Sequence, residues 1–413
     1  MNNPAAALKT LDQALAQLLG YAAPLAGQDT VSTFEADRRV LAADLRSELQ
    51  VPPLDNSAMD GYAVRCADVP AAGTVLPVAQ RIAAGDVGTA LAAGTAARIF
   101  TGAPLPAGAD AVVMQEDCDA LEDGRVRIRV QPAPGLAVRR AGEDVARGAV
   151  VLARGTRLTP AALGMAASIG VAELPVARRP RVALFSTGDE LVMPGEVPPA
   201  RMRPGAIYNS NRFFLRALLQ RLGCEVSDLG IVPDRLDATR EALRAAARGH
   251  DLILTSGGVS VGEEDHVKPA VEALGRLELW QIAIKPGKPF AYGAIAGDGA
   301  SCHFIGLPGN PVSSLVTFVV LVRPFLLKLQ GATALAPAAV RLPAAFDWKR
   351  ADRRREFLRA RRNADGALEL FPNQGSGVLT SVAWGDGLVD TPAGQPIARG
   401  DSVRFLPFED LWG

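Results

Sequence analysis

Four runs in this chain set small and polar residues directly behind an apolar segment. The richest is DLILTSGGVSVGEEDHVK, residues 251–268. Ser256, Gly257 and Gly258 offer a hydroxyl, bare backbone N–H groups and almost no bulk, so an oxyanion can approach closely. Glu263, Glu264 and Asp265 follow, and they would repel a phosphate unless a cation lay between. Oxyanion and carboxylates at one strand end point to Mg2+ chemistry on a phosphate compound. A plainer reading stands beside it: a turn and an acidic helix start, which the helix dipole favours. The other runs are STGDEL with Asp189 and Glu190, the pair Pro233–Asp234, and LPGNPVS with Pro308, Gly309 and Asn310. IKPGKPFAYG adds Lys285 and Lys288 around one glycine, each followed by a proline that restricts the turn. Those lysines either meet an anion or sit on a solvated turn.

Three further polar loops lie earlier in the chain. PPLDNSAMDGYAV carries Asp55, Asn56, Ser57 and Asp60, FTGAPLPAGAD carries Thr101, and RRAGEDV carries Asp144. Turn chemistry accounts for the Asn, Ser and Gly but not for Asp60 beside Tyr62. Near the C-terminus KRADRRREFLRARR holds eight basic and two acidic residues. Phe357, Leu358 and the spaced arginines suit a half-buried strand with one or two arginines free for a small anion. A solvated face is the alternative, and nucleic acid is not expected. Neither GxxxxGK[ST] nor a strand-following GxGxxG occurs, and no Ser–His or Cys–His arrangement is indicated. Tyr208, His266 and His303 have no motif around them and read as structural.

The elements that must position these loops change character along the chain. Leu8, Leu11, Leu15, Leu18 and Leu19 fall on one helical face, which should pack on another domain or another subunit. From Val51 to Gly148, glycines and prolines punctuate short apolar runs in an all-β texture. A helix capped by Thr159 with Pro160 in its first turn follows. Residues 180–330 alternate strand and helix, which argues a mostly parallel sheet covered on both faces, with ligands outside the carboxyl ends of the strands. The four polar runs would meet at that edge. GATALAPAA, 331–339, leads into a small β-domain. The expected division is 1–50 with 148–179, 51–147, 180–330 and 331–413.

The 413 residues are 48% hydrophobic, enough for several cores, and Lys+Arg equals Asp+Glu at 44 each. No global field favours a nucleic acid, so any anion site must be local. Four scattered cysteines without a CxxC pair, and three histidines, speak against structural zinc and fit a cytoplasmic protein. No signal peptide and no apolar stretch of membrane-spanning length is read.

Taken together, PPLDNSAMDGYAV, IFTGAPLPAGADAVVMQE, RRAGEDV, FSTGDEL, SGGVSVGEEDHVK, IKPGKPFAYG, LPGNPVS and NQGSGVL resemble the molybdopterin molybdenumtransferases, the MoeA family, which includes the E domains of gephyrin and its plant counterpart. The resemblance runs from the first helix to the last domain. It implies a central molybdopterin-binding α/β domain, an inserted β-rich domain, a helical and extended N-terminal domain and a small C-terminal β-domain. It implies a homodimeric enzyme of molybdenum cofactor assembly that works with other assembly proteins. Such an enzyme takes adenylylated molybdopterin and molybdate, uses Mg2+ and releases AMP. Carried onto this chain, the catalytic positions are Asp60, Thr101, Asp144, Glu190, Asp234 and Asp265, with Glu190 and Asp265 on the metal. Ser256, Gly257, Gly258, Pro308, Gly309 and Asn310 would take phosphate or pterin, and Lys285, Lys288, Arg359 and Ser376 would hold anions. Two alternatives stay open: a gephyrin-like scaffold, and another phosphohydrolase on the same α/β domain.

Overall fold

The computed structural model describes residues 8–258, 266–297 and 301–412. Its central sheet follows the order Glu225–Val232, Arg181–Thr187, Leu252–Ser256, Ser301–Leu307, Pro289–Ala296, Gly275–Gln281. The first four strands are parallel, and the last two join antiparallel. That pair departs from a wholly parallel sheet because the connections at 282–288 and 297–300 are too short for a crossover helix.

Successive residues face opposite cores. Val182, Leu184, Leu252 and Leu254 pack with Leu215 and Leu219 of the Asn211–Arg221 helix. Ala183, Phe185 and Ile253 pack with Leu243 of Leu236–Ala247 and Ala270 of Val267–Leu274. Burial on both faces is what lets Leu252–Ser256 run without a polar break until its end.

The helical run Pro311–Leu329 corrects one expectation. At 19 residues, with a mean hydropathy of 1.8 in its most apolar stretch, it is long and apolar enough to cross a membrane by length and composition, yet 89% of that stretch is buried inside the protein. It is a core helix, and Arg323 and Lys328 hide its apolar character from a simple reading of the sequence. Both charges reach backbone carbonyls, Arg323 that of Leu335 and Lys328 that of Leu19. Residues Phe318–Val322 widen into a π turn just before Pro324, which has no N–H for a regular turn.

The first helix, Leu11–Tyr21, begins with a capping box between Thr10 and Gln13. Leu11, Ala14 and Leu18 are buried in the same core as Phe325 and Leu326. Tyr21 stacks on Tyr292 at 4.5 Å and, with Gln17, hydrogen-bonds Glu278. The apolar face is therefore filled by the α/β segment of its own chain.

Residues on either side of the β-rich run pair with each other: Gln28–Ser32 with Glu173–Ala177, and Leu45–Arg46 with Val150–Leu152. Between them stands a six-stranded sheet in the order Ala111–Met114, Gly61–Val64, Ala96–Ile99, Thr74–Ile82, Arg125–Ile128, Cys118–Ala120. The last sheet runs Ile284–Lys285, Arg355–Arg362, Gly387–Thr391, Ser402–Pro407, Val340–Pro343, with Leu368–Leu370 on the second strand. Its first strand comes from the lysine turn, so the α/β segment and the C-terminal sheet share backbone hydrogen bonds.

Candidate functional site

At the carboxyl edge of the central sheet the loops after Arg181–Thr187, Leu252–Ser256 and Ser301–Leu307 converge on a pocket of 540 Å³, lined among others by Thr187, Glu190, Asn209, Ser256, Gly257 and Gly309. Gly257 and Gly258 hold φ of +94° and +67°. A Cβ on Gly257 would lie 2.8 Å from the Thr187 carbonyl, and one on Gly258 would lie 2.4 Å from the Val267 side chain. Only glycine turns the chain so closely there. The Gly257 N–H donates to the Leu307 carbonyl at 3.0 Å, joining the second loop to the third. Pro308 is buried, while Gly309 and Asn310 are exposed at the start of Pro311–Leu329.

One residue that the motifs did not single out ties these loops together. Asn211 is 8% exposed, and its Nδ2 donates to Ser256 Oγ at 2.8 Å and to the Gly309 carbonyl at 2.7 Å. Nearby Asn209, also buried, has an Nδ2 without a hydrogen-bond partner. The available signal was YNSNRFF, where two asparagines stand at a helix start on its inward face.

The C-terminal domain also reaches this pocket. Gly377 lines it, and the Ser376 carbonyl accepts from the Val312 N–H at 2.9 Å. Arg359 is, among the described residues, the largest fully buried side chain, at 0% exposed. Its guanidinium donates to Ser381 Oγ at 3.0 Å and to the Phe357 and Gly375 carbonyls at 3.1 Å each. Burial pushes it down to about 10, so it stays charged at neutral pH. It lies on no solvated face, and these hydrogen bonds hold the loop around Gly375 and Ser376 from behind.

Lys285 is likewise engaged. Its Nζ lies 3.0 Å from Glu356 Oε1 and 3.4 Å from Asp352 Oδ2. Its backbone pairs beside Glu356, and the buried Glu356 also accepts from Trp348 Nε1. Lys288 is exposed at the far side of Gly287, where a Cβ would meet Thr317 Oγ1 at 2.5 Å. The turn's glycine is thus fixed against the helix that carries Asn310.

Asp60, Thr101 and Asp144 lie on the β-rich segment, and none of them lines the pocket. Asp60 Oδ1 accepts from both the N–H and the hydroxyl of Thr101, each at 2.8 Å. Those two bonds, backbone first, with the Arg98 charge nearby, hold the carboxyl below its usual range. Asp144 is exposed in a turn whose N–H donates to the Val51 carbonyl at 3.0 Å. Asp55 closes the two loops by accepting from Arg140 at 2.7 Å and the Ala141 N–H at 2.8 Å.

Asp189 and Glu190 are exposed, and Asp234 is half-buried after Glu225–Val232. Glu263, Glu264 and Asp265 lie outside the described residues. Among the described residues no three His, Cys, Asp or Glu side chains gather to hold a metal. The pocket offers oxygen donors headed by the Glu190 carboxylate, a set that suits Mg2+ bound mainly through substrate phosphates and water. Tyr208 donates to the Val197 carbonyl at 2.6 Å and His303 Nδ1 pairs with the Tyr292 hydroxyl at 2.9 Å, so both have structural partners. The arginine run is largely engaged too, Arg354 with Asp352, Arg355 with Asp390 and Arg361 with Glu369.

Three family models match the chain in sequence order. They are the MoeA N-terminal region (domain I and II) over residues 9–170, a probable molybdopterin binding domain over 183–328, and the MoeA C-terminal region (domain IV) over 341–408. A molybdopterin molybdenumtransferase of Haemophilus influenzae is 40% identical over 411 residues, covering 98% of this chain and all (100%) of that protein. One of Synechococcus elongatus is 38% identical over 410 residues, covering 97% and 98%. A molybdopterin biosynthesis MoeA protein of Pyrococcus horikoshii superposes with a TM-score of 0.82 at 28% identity, covering 97% of this chain and 100% of that one. With its polar loops on matching segments from the first helix to the last sheet, this chain belongs to the MoeA family.

Proposed function

We propose that the protein is a molybdopterin molybdenumtransferase of molybdenum cofactor biosynthesis, inserting molybdate into adenylylated molybdopterin with release of AMP. The observation that carries this reading is the glycine pocket. Two tight glycine loops, cross-linked by Asn211, line one pocket with Asn209, whose unpartnered Nδ2 is a donor that suits phosphate and other oxyanions. Ser256, Gly257, Gly258 and Gly309 would seat the pyrophosphate or pterin, and Lys288 and Ser376 would hold the second anion. Mg2+, held through Glu190 and Asp265, would neutralise the pyrophosphate charge. Asp60, held ionised by Thr101, belongs to a separate surface within one chain. A homodimer in which a second copy supplies Asp60, Thr101 and Asp144 would complete the site. The enzyme would work in the cytoplasm and pass its product to other cofactor-assembly proteins.

The test is incubation with adenylylated molybdopterin, Mg2+ and molybdate while AMP is followed. AMP release that needs molybdate and Mg2+ and stops in Asp265→Asn is the expected result. No AMP from the wild type under these conditions would overturn the assignment.

A further inference from the structure

A separate cleft of 570 Å³ opens between the start of Leu11–Tyr21 and one face of the C-terminal sheet. Strand register places Arg341 directly opposite Arg404, and Arg404 directly opposite Asp390. Asp390 is already taken: Arg355 Nε and Nη2 reach its two oxygens at 2.6 and 2.7 Å, and Arg404 is more distant at 3.5 Å. Arg355 also meets Asp12 of the first helix at 3.2 Å. Among the described residues Arg341 reaches only the Ser402 carbonyl, at 3.2 Å. Arg353 has no ion-pair partner among the described residues. Among the described residues four guanidinium groups thus line the cleft against two carboxylates, those of Asp12 and Asp390, a surplus of two positive charges.

Like charges set directly opposite across a sheet destabilise it, so Arg341 facing Arg404 is a cost that an arriving anion would relieve. The geometry also suits a particular anion. Guanidinium forks bind phosphate oxygens in pairs, and a phosphate monoester carries close to two negative charges at neutral pH. The cleft exceeds the size of one phosphate, and Leu11, Ile397 and Val403 supply apolar walls for the rest of a small molecule. We propose that this cleft is a second ligand site, taking the phosphate-monoester end of a small molecule between Arg341, Arg353 and Arg404. None of these arginines belongs to the glycine pocket, so the proposal does not depend on the activity assigned to that pocket.

The test is isothermal titration of the full-length protein at low salt with ribose 5-phosphate, with ribose as the uncharged control. Saturable binding of ribose 5-phosphate and none of ribose is expected. In an Arg341→Gln/Arg353→Gln variant affinity should fall by about tenfold or more, as loss of charge-assisted contacts predicts, while AMP release stays at the wild-type level. Both side chains lie at the surface, and an unchanged thermal melt verifies the fold. Binding that is absent at millimolar ligand, or unchanged in the variant, would overturn the proposal. So would saturable binding of an oligoglutamate peptide without ribose 5-phosphate, which would make the cleft a protein-docking surface. AMP release failing in both proteins while ribose 5-phosphate still binds would instead count against the function assigned to the glycine pocket.

Discussion

Replacing Asn211 tests whether the two glycine loops act as one cradle. Its Nδ2 makes two hydrogen bonds, at 2.8 Å to Ser256 Oγ and 2.7 Å to the Gly309 carbonyl. Each contributes about 0.5–1.5 kcal/mol net, and a stranded buried hydroxyl costs about 1–3 kcal/mol more. Ser256 is 4% exposed and would be stranded, whereas Gly309 is exposed and its carbonyl can turn to water. Asn211→Ala should therefore cost about 2–6 kcal/mol. If that energy holds the loops for the reaction, molybdate-dependent AMP release falls by roughly 30-fold or more. Asn211→Asp should do worse near neutral pH although it is nearly isosteric. It sets a carboxylate oxygen against the Gly309 carbonyl and buries a charge. Part of its activity should return as the pH falls and the carboxyl regains a proton to donate. The assay pairs AMP release with urea denaturation, so loop effects separate from global unfolding. An Asn211→Ala protein with wild-type kcat and KM, or an Asp variant as active as wild type, refutes the cradle.

Glu356→Gln removes the 3.0 Å partner of Lys285 but keeps an acceptor for Trp348. Because Lys285 is partly exposed, stability should change by only about 1 kcal/mol, and half-saturating molybdate should drop as the lysine is released; an unchanged titration means that Lys285 does not see the anion. Gly257→Ala forces a Cβ to 2.8 Å from the Thr187 carbonyl at φ +94°, so AMP release should collapse with the circular dichroism spectrum retained, and a normal rate would show that the loop is not used. Burial pushes the Asp251 carboxyl up, but the hydrogen bonds from Arg178 and the Arg181 N–H outweigh it and leave the group lowered. The stabilisation from this pair is full above the ordinary carboxylate value of 3.8 and fades as pH falls through the lowered one, so Asp251→Asn should flatten the acid limb of a pH–denaturation series. Light scattering at micromolar concentration should give twice 43.2 kDa, and an active monomer would exclude a site shared between copies.

Much of the architecture was legible because it rests on local patterns. Thr159 and Pro160 start their helix, Gly223 ends another with φ +81°, and the apolar LIL run is buried on both faces. The loops after the parallel strands were legible for the same reason: glycine and hydroxyl residues follow buried strands at the edge where the chain must turn. What could not be read were long-range pairings. Nothing in the spacing says that Lys285 meets Glu356, 71 positions away, or that Arg359 turns inward to the carbonyls of Phe357 and Gly375. A run of arginines looks alike in sequence whether its charges face water or carbonyls. Asn211 was hidden similarly, since an asparagine at a helix start reads as a cap until the opposite loop is seen. Of the two packing partners expected for the apolar face of the first helix, another domain or another subunit, the structure shows the former, with Phe325 and Tyr292 of the same chain against it.

The route by which the chain enters and leaves the β-rich sheet has its own consequence. Val51 and Val145 exchange backbone hydrogen bonds at 2.8 and 3.1 Å, and just outside them Ser47 does so with Ala149 and Gly148 at 3.0 and 2.7 Å. The whole sheet hangs from this narrow two-stranded neck. Cut there, the two loose ends of the remaining protein already lie within bonding distance, and a tight hairpin turn would rejoin them. The β-rich part is therefore an exchangeable cassette: it can be lost, replaced or borrowed from a relative without rethreading the sheets on either side. A chimera carrying another protein's cassette would report what Asp60, Thr101 and Asp144 contribute, with the glycine loops left untouched.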